Sequence, residues 1–176
     1  MRGLLLVAVL AMAVPALAQA QKAPTLKSIL LAQLHSTHDK SEWFVCADVA
    51  VAGLTPEQAS WTDGKGNHSV GQLVNHLVFW NEQQLAKLTG TKPAKYNGNN
   101  DETFNSFDSK SWSEIVKRLD AVLTNLEKLV ENADEAQLAK IAPGIAHVNT
   151  HNAYHIGQIV YVRKEQGSWD ASKGVK

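Results

Sequence analysis

Apolar residues recur along this chain with a period near 3.6, and the pattern falls into four long stretches separated by polar connections. In the first, Leu26, Ile29, Leu30 and Leu34 follow Thr25, a residue suited to capping, and the stripe continues through Trp43, Phe44, Ala47 and Val51 to a stop at Gly53. In the second, Ser69 and Gln72 have capping-box spacing ahead of Leu73, His76, Leu77, Trp80, Gln84 and Leu88, with Gly90 as terminator. In the third, Ser111 and Glu114 have the same spacing. They precede a stripe of Ile115, Leu119, Val122, Leu126, Leu129 and Val130 that leaves Lys117, Arg118, Asp120, Glu127 and Lys128 outward. The fourth starts near Pro143, a residue suited to a first helical turn, and runs to about Gln166 before Gly167.

Shorter pieces fill the gaps. Thr55-Pro56-Glu57-Gln58 restarts a short helix, and Asp134 to Ala139 forms a brief segment before the last long one. Asp63-Gly64-Lys65-Gly66-Asn67 is a loop without the spacing of a phosphate-binding turn. From Thr91 to Lys110 about 20 polar residues intervene, long for a helical domain, and Tyr96, Phe104 and Phe107 within them are expected to pack on the helices. With no convincing strand pair, the pattern predicts an all-α fold: a four-helix bundle with long inter-helix connections.

The first residues carry a different signal. Arg2, an apolar run from Leu4 to Val14, Pro15 and then Ala18-Gln19-Ala20 predict a cleaved signal peptide over residues 1–20, with cleavage before Gln21. The run is shorter than the ~20 residues a membrane span requires. No cysteine follows the cleavage site, so no lipid anchor is expected, and the product is expected to be secreted or periplasmic. Residues 21–176 are expected to form one domain with a sizeable core. Seventeen basic residues balance seventeen acidic ones, and losing Arg2 leaves sixteen against seventeen. That balance, without a basic run, excludes nucleic acid or an anionic membrane as the expected partner. Cys46 is the single cysteine, so no internal disulfide can form, and its apolar neighbours predict burial.

The candidate chemistry lies in the seven histidines. His147, His151 and His155 are spaced by four, which sets them on one face of a helix. Two imidazoles so spaced can converge on one metal ion. At about 40° of drift per step, one ion is expected to take two neighbours of the three rather than all of them. His76, among apolar residues of the second long helix, is the best-placed third ligand. The plain alternative is a set of core histidines satisfied by hydrogen bonds. His35 and His38 form a rival pair, but Ser36, Thr37, Asp39 and Lys40 beside them read as a solvated face.

Three features together resemble the DinB-like helical bundles, a family that includes metal-dependent thiol S-transferases. They are Asn75-His76-Leu77 followed by Trp80-Asn81-Glu82, the run His147, His151, Tyr154-His155-Ile156-Gly157-Gln158-Ile159, and Gly53-Leu54-Thr55-Pro56-Glu57-Gln58 leading to Trp61. The likeness covers nearly the whole of residues 21–176. It departs at Ile156, where many members carry arginine.

The resemblance implies a four-helix bundle whose mouth holds a divalent metal on His76, His151 and His155, with His147 one turn along. Zinc or nickel is the first expectation, and iron or manganese the second. Three protein ligands leave coordination positions open, as catalytic sites do. Glu82 and Asp101 are the candidate catalytic residues for moving a proton, and Gln158 for orienting a ligand histidine or the substrate. Tyr154 ranks below them because it points roughly 100° away from His155. The expected function is a metal-dependent hydrolase or transferase acting on a small molecule. The alternative is a non-catalytic metal- or ligand-binding envelope protein. A homodimer built on exposed helix faces is compatible with the family.

Overall fold

A computed structural model describes residues 23–174, so the expected signal peptide lies outside the described residues. Four long helices form the body: α1 (Leu26–His38), α4 (Val70–Thr89), α6 (Trp112–Asn132) and α7 (Glu135–Glu165). Short helices α2 (Ala47–Val51), α3 (Pro56–Ser60) and α5 (Glu102–Asn105) sit in the connections, and no strand occurs among the described residues. Helices α1 and α4 each pack on both α6 and α7. Leu34, Leu77, Leu123, Leu126, Ile145, Ile156 and Ile159 meet in the centre with almost no exposure. Each such side chain contributes about 1.5–3 kcal/mol of burial.

Local chemistry sets the helix ends. The Ser69 Oγ accepts the Gln72 N–H at 3.2 Å and the Gln72 Oε1 accepts the Ser69 N–H at 2.9 Å, which starts α4, and Gly90 ends it at φ 73°. Helix α3 starts on the expected Thr55/Gln58 box. Its approach is fastened by Trp112, whose buried indole N–H donates to the Leu54 carbonyl at 2.9 Å.

Three expectations are corrected. The first stretch is not one helix: α1 stops at His38, and the chain is irregular until α2 begins at Ala47. Beyond His38 the Ser41 Oγ gives the backbone a local partner in place of the helix, accepting the Cys46 N–H at 3.1 Å. Trp43 consequently faces solvent, 98% exposed, whereas Cys46 is buried.

The last long helix starts eight residues earlier than Pro143, at Glu135. Asp134 caps it in a box with Gln137, and Pro143 lies inside. An interior proline costs about 3 kcal/mol. Here Leu138, Ile141 and Ile145 flank it in the core, while Pro143 itself is exposed, so packing carries the helix through. The third correction concerns Ser111, which makes no side-chain cap to α6. Its hydroxyl donates instead to the Asp108 carbonyl at 2.6 Å.

The long connection from 91 to 110 packs on α4 as its aromatics suggest. Tyr96 lies 5.2 Å from Trp80 between ring centres, and Phe104 is buried. Phe107 lies so close to Gly71 that a Cβ there would overlap its ring. Glycine at that position is therefore what lets the connection close onto α4. Among the described residues, no helix is long and apolar enough to cross a membrane.

Candidate metal centre

Helix α4 brings His76, and α7 brings His151 and His155, to one point. The His151 Nε2 lies 3.2 Å from the His76 Nε2 and 3.1 Å from the His155 Nε2. All three ligand atoms fall within 4.8 Å of one another. Below them Asn81 and Asn152 exchange amide hydrogen bonds of 2.8 and 3.2 Å, both residues being buried. This reciprocal pair fixes the register of α4 against α7, and with it the meeting of the histidines.

On His76 and His155 the partner of Nδ1 decides which nitrogen is free. Thr103 of α5 donates its hydroxyl hydrogen to the Asn100 carbonyl at 2.6 Å, so toward His76 it has only lone pairs to offer. The His76 Nδ1, 2.6 Å away, therefore donates, and its Nε2 carries a lone pair. Similarly the His155 Nδ1 donates to the Gln158 Oε1 at 2.6 Å. The Gln158 amide nitrogen in turn donates to the Tyr154 hydroxyl at 3.2 Å.

Burial first, and then the neighbouring His155 and His151, push the His76 pKa down to about 3. Burial and His151 lower His155 to about 4, and burial lowers His151. The three imidazoles are thus neutral at physiological pH. A single Nε2 hydrogen on His151 can serve only one of its two neighbours, leaving the other pair lone pair to lone pair. A cation relieves that conflict. Zinc bonds of ~2.0–2.1 Å would require the ligand nitrogens to lie within about 4.2 Å of one another, and both separations meet that requirement. The residues present fit a divalent metal.

A cavity of about 430 Å³ opens beside the triad, lined by His76 and His151 with His147, Trp80, Gln84 and Asn100. Among the described residues, no carboxylate, lysine or arginine lines it. His147 is thus a cavity residue beside the converging nitrogens.

The three proposed catalytic residues are placed differently. Gln158 touches His155. Glu82 does not reach the triad: its carboxylate receives two hydrogen bonds from Arg118 of α6, at 2.8 and 3.1 Å, and faces another groove. Asp101 is exposed at the start of α5, and its neighbour Asn100, not Asp101, lines the cavity. Ile156 is a core residue at 1% exposure.

Sequence reasoning missed Thr103 and the stack built on Phe104. That ring lies between His76 and His68, with centroid distances of 3.9 and 4.0 Å. The signal available was weak: an aromatic flanked by hydroxyl and amide residues in an overlong connection. The reading of His35 and His38 as a solvated face is also corrected. Ser36, Thr37 and His38 are buried, and His38 bonds Glu127 and Asp120 of α6. His38 pairs across to α6 and Thr37 reaches the Asn149 Oδ1 of α7 at 3.3 Å, while the Ser36 hydroxyl donates to the Gln33 carbonyl within α1.

The family model described as the DinB superfamily matches residues 47–159, more than half of the chain and including all three histidines. No curated protein and no solved structure matches.

Proposed function

The chain belongs to the DinB superfamily, and from that premise we propose an exported protein that holds a divalent metal on His76, His151 and His155. We assign it as a metal-dependent hydrolase or thiol S-transferase acting on a small, uncharged molecule. The observation that carries this reading is the convergence of three Nε2 atoms with two of the three rings turned by Nδ1 donation to Thr103 and Gln158. Neutral imidazoles favour zinc or nickel, with iron or manganese next.

When bound, the cation supplies a Lewis acid and acidifies a water or thiol at neutral pH. The chain's own residues supply the rest. Gln84 and Asn100 can orient a carbonyl or amide by hydrogen bonds, and the Trp80 ring offers an apolar wall. His147 is the cavity residue able to accept or donate a proton, a role for which Glu82 and Asp101 are badly placed. Without charged lining residues, the cavity favours a neutral substrate.

The signal-like pattern at residues 1–20 supports export to a secreted or periplasmic location. Export favours hydrolysis, because low-molecular-weight thiol cosubstrates are chiefly cytosolic. The test loads metal-free protein with each of the four metals and assays ester, amide and thiol-transfer panels beside His151→Ala. Activity in the wild type that His151→Ala abolishes supports the assignment, and equal activity in the two rejects it.

A further inference from the structure

A second convergence of ligand groups lies between α1, α2 and α6 and shares no residue with the triad. His38, at the C-terminal end of α1, is buried to 4% exposure, yet its ring is polar on both sides. The Nδ1 lies 2.8 Å from Oε1 of the buried Glu127. On the opposite edge, the Nε2 lies 3.1 Å from the Asp120 Oδ1 and 4.0 Å from the Asp48 Oδ1. The Glu127 Oε1 is approached also by the His35 Nδ1 at 3.3 Å, and that same nitrogen is 3.0 Å from the Asp39 Oδ1.

Two halves of this cluster do different work. Glu127 is buried and faces Nδ1, so it fixes the ring by accepting the Nδ1 hydrogen and directs Nε2 outward. A carboxylate behind a histidine is the arrangement that orients and strengthens metal-ligating imidazoles. Asp48 and Asp120 have half-exposed side chains, at 50% and 62%, so both carboxylates reach solvent. Four carboxylates here face two imidazoles, so negative charge is in excess even with both rings protonated. A divalent cation relieves that excess and replaces the Nε2 proton.

We propose that the His38 Nε2, Asp48 and Asp120 form a second divalent-cation site, with Glu127 positioning the imidazole. The three ligand atoms lie within 4.8 Å of one another, on helices already packed together. One imidazole with two carboxylates and water suits manganese, iron(II) or zinc. The triad, made of imidazoles alone, has a different preference. The new site tethers α2 to α1 and α6 across the irregular segment between His38 and Ala47.

The experiment titrates metal-free, untagged protein with Mn²⁺, following free Mn²⁺ by electron paramagnetic resonance, and with Zn²⁺ by calorimetry. Wild type is expected to bind two equivalents of Zn²⁺. His151→Ala is expected to keep a Mn²⁺ equivalent that Asp48→Asn/Asp120→Asn weakens at least tenfold, while the Asp variant keeps the triad's Zn²⁺ equivalent. Both aspartates are on the surface, so the substitutions spare the core, and Asp120→Asn alone repeats the test with less perturbation. A wild type that binds a single Zn²⁺ equivalent unchanged in the Asp variants overturns the proposal. So does a second equivalent that survives both Asp variants. In either case the cluster is a hydrogen-bonded pin between α1 and α6.

Discussion

The Thr103 hydroxyl lies 2.6 Å from the His76 Nδ1 and has already spent its hydrogen on the Asn100 carbonyl. One threonine in a connecting segment thereby sets which nitrogen of a helix histidine faces the triad. Thr103→Val keeps the shape and removes the acceptor. It is expected to weaken zinc binding 10–100-fold, as loss of an orienting partner does. Leaving the buried Nδ1–H unpaired should also cost about 1–3 kcal/mol of stability. Chelator competition and thermal unfolding check both, and Thr103→Ser should restore most of each.

Asn81 and Asn152 form a second cross-helix link whose value lies in its completeness. Asn152→Ala strands the buried Asn81 amide, which still has the Leu77 carbonyl at 2.8 Å but loses its acceptor across the interface. The expected loss is about 2 kcal/mol in urea unfolding. The double substitution Asn81→Leu/Asn152→Leu should recover part of it, since replacing both partners removes the unmet hydrogen bonds. A double variant as unstable as the sum of Asn81→Leu and Asn152→Leu would show that the pair is not coupled.

Acid should act on the metal-free protein through the triad. His76 and His155 are lowered to about 3 and 4 from an ordinary 6.5, so below pH 6.5 the unfolded chain takes up protons that the folded chain refuses. Stability conferred by the neutral rings is therefore full above pH 6.5 and is lost as pH falls toward 4 and 3. Urea midpoints measured between pH 7.5 and 4.5 should decline, and His76→Asn should flatten the decline. An identical pH dependence in wild type and His76→Asn would contradict the assignment of neutral rings.

Glu82 offers the converse test. Its pair with Arg118 is half-exposed, and such pairs are worth about 0–1 kcal/mol. Glu82→Gln should change unfolding little and leave metal content and any turnover unchanged. A large fall in activity with metal retained would restore Glu82 as a proton carrier.

What could be read from the chain and what could not divide along physical lines. Apolar periodicity located α4 and α6 well, because Leu73, Leu77, Leu119 and Leu126 face one core. It joined α1 to α2 because Trp43 and Phe44 keep the spacing, although Ser41 turns the backbone and Trp43 ends in solvent. It also set the start of α7 at Pro143, since local preference there opposes the packing of Ile141 and Ile145 that prevails. Within the site, helical spacing showed that His151 and His155 could meet one ion. It allowed His147 with His151 equally, and an apolar setting marked His76 as the best-placed third ligand. The resemblance selected the pair His151 and His155.

Neither spacing nor resemblance gave Thr103, because its contact with His76 spans a fold-back of 27 residues that no periodicity encodes. The same limit hid His38 and Glu127, 89 residues apart, and made a buried network look like a polar surface.

Residues from α4 and α7 are proposed to hold one metal ion together. Mass spectrometry of metal content on untagged wild type and His76→Ala, purified and dialysed side by side, tests it most directly. The wild type is expected to carry one more equivalent of a single divalent metal than the folded variant does. Equal metal content in the two proteins would contradict it.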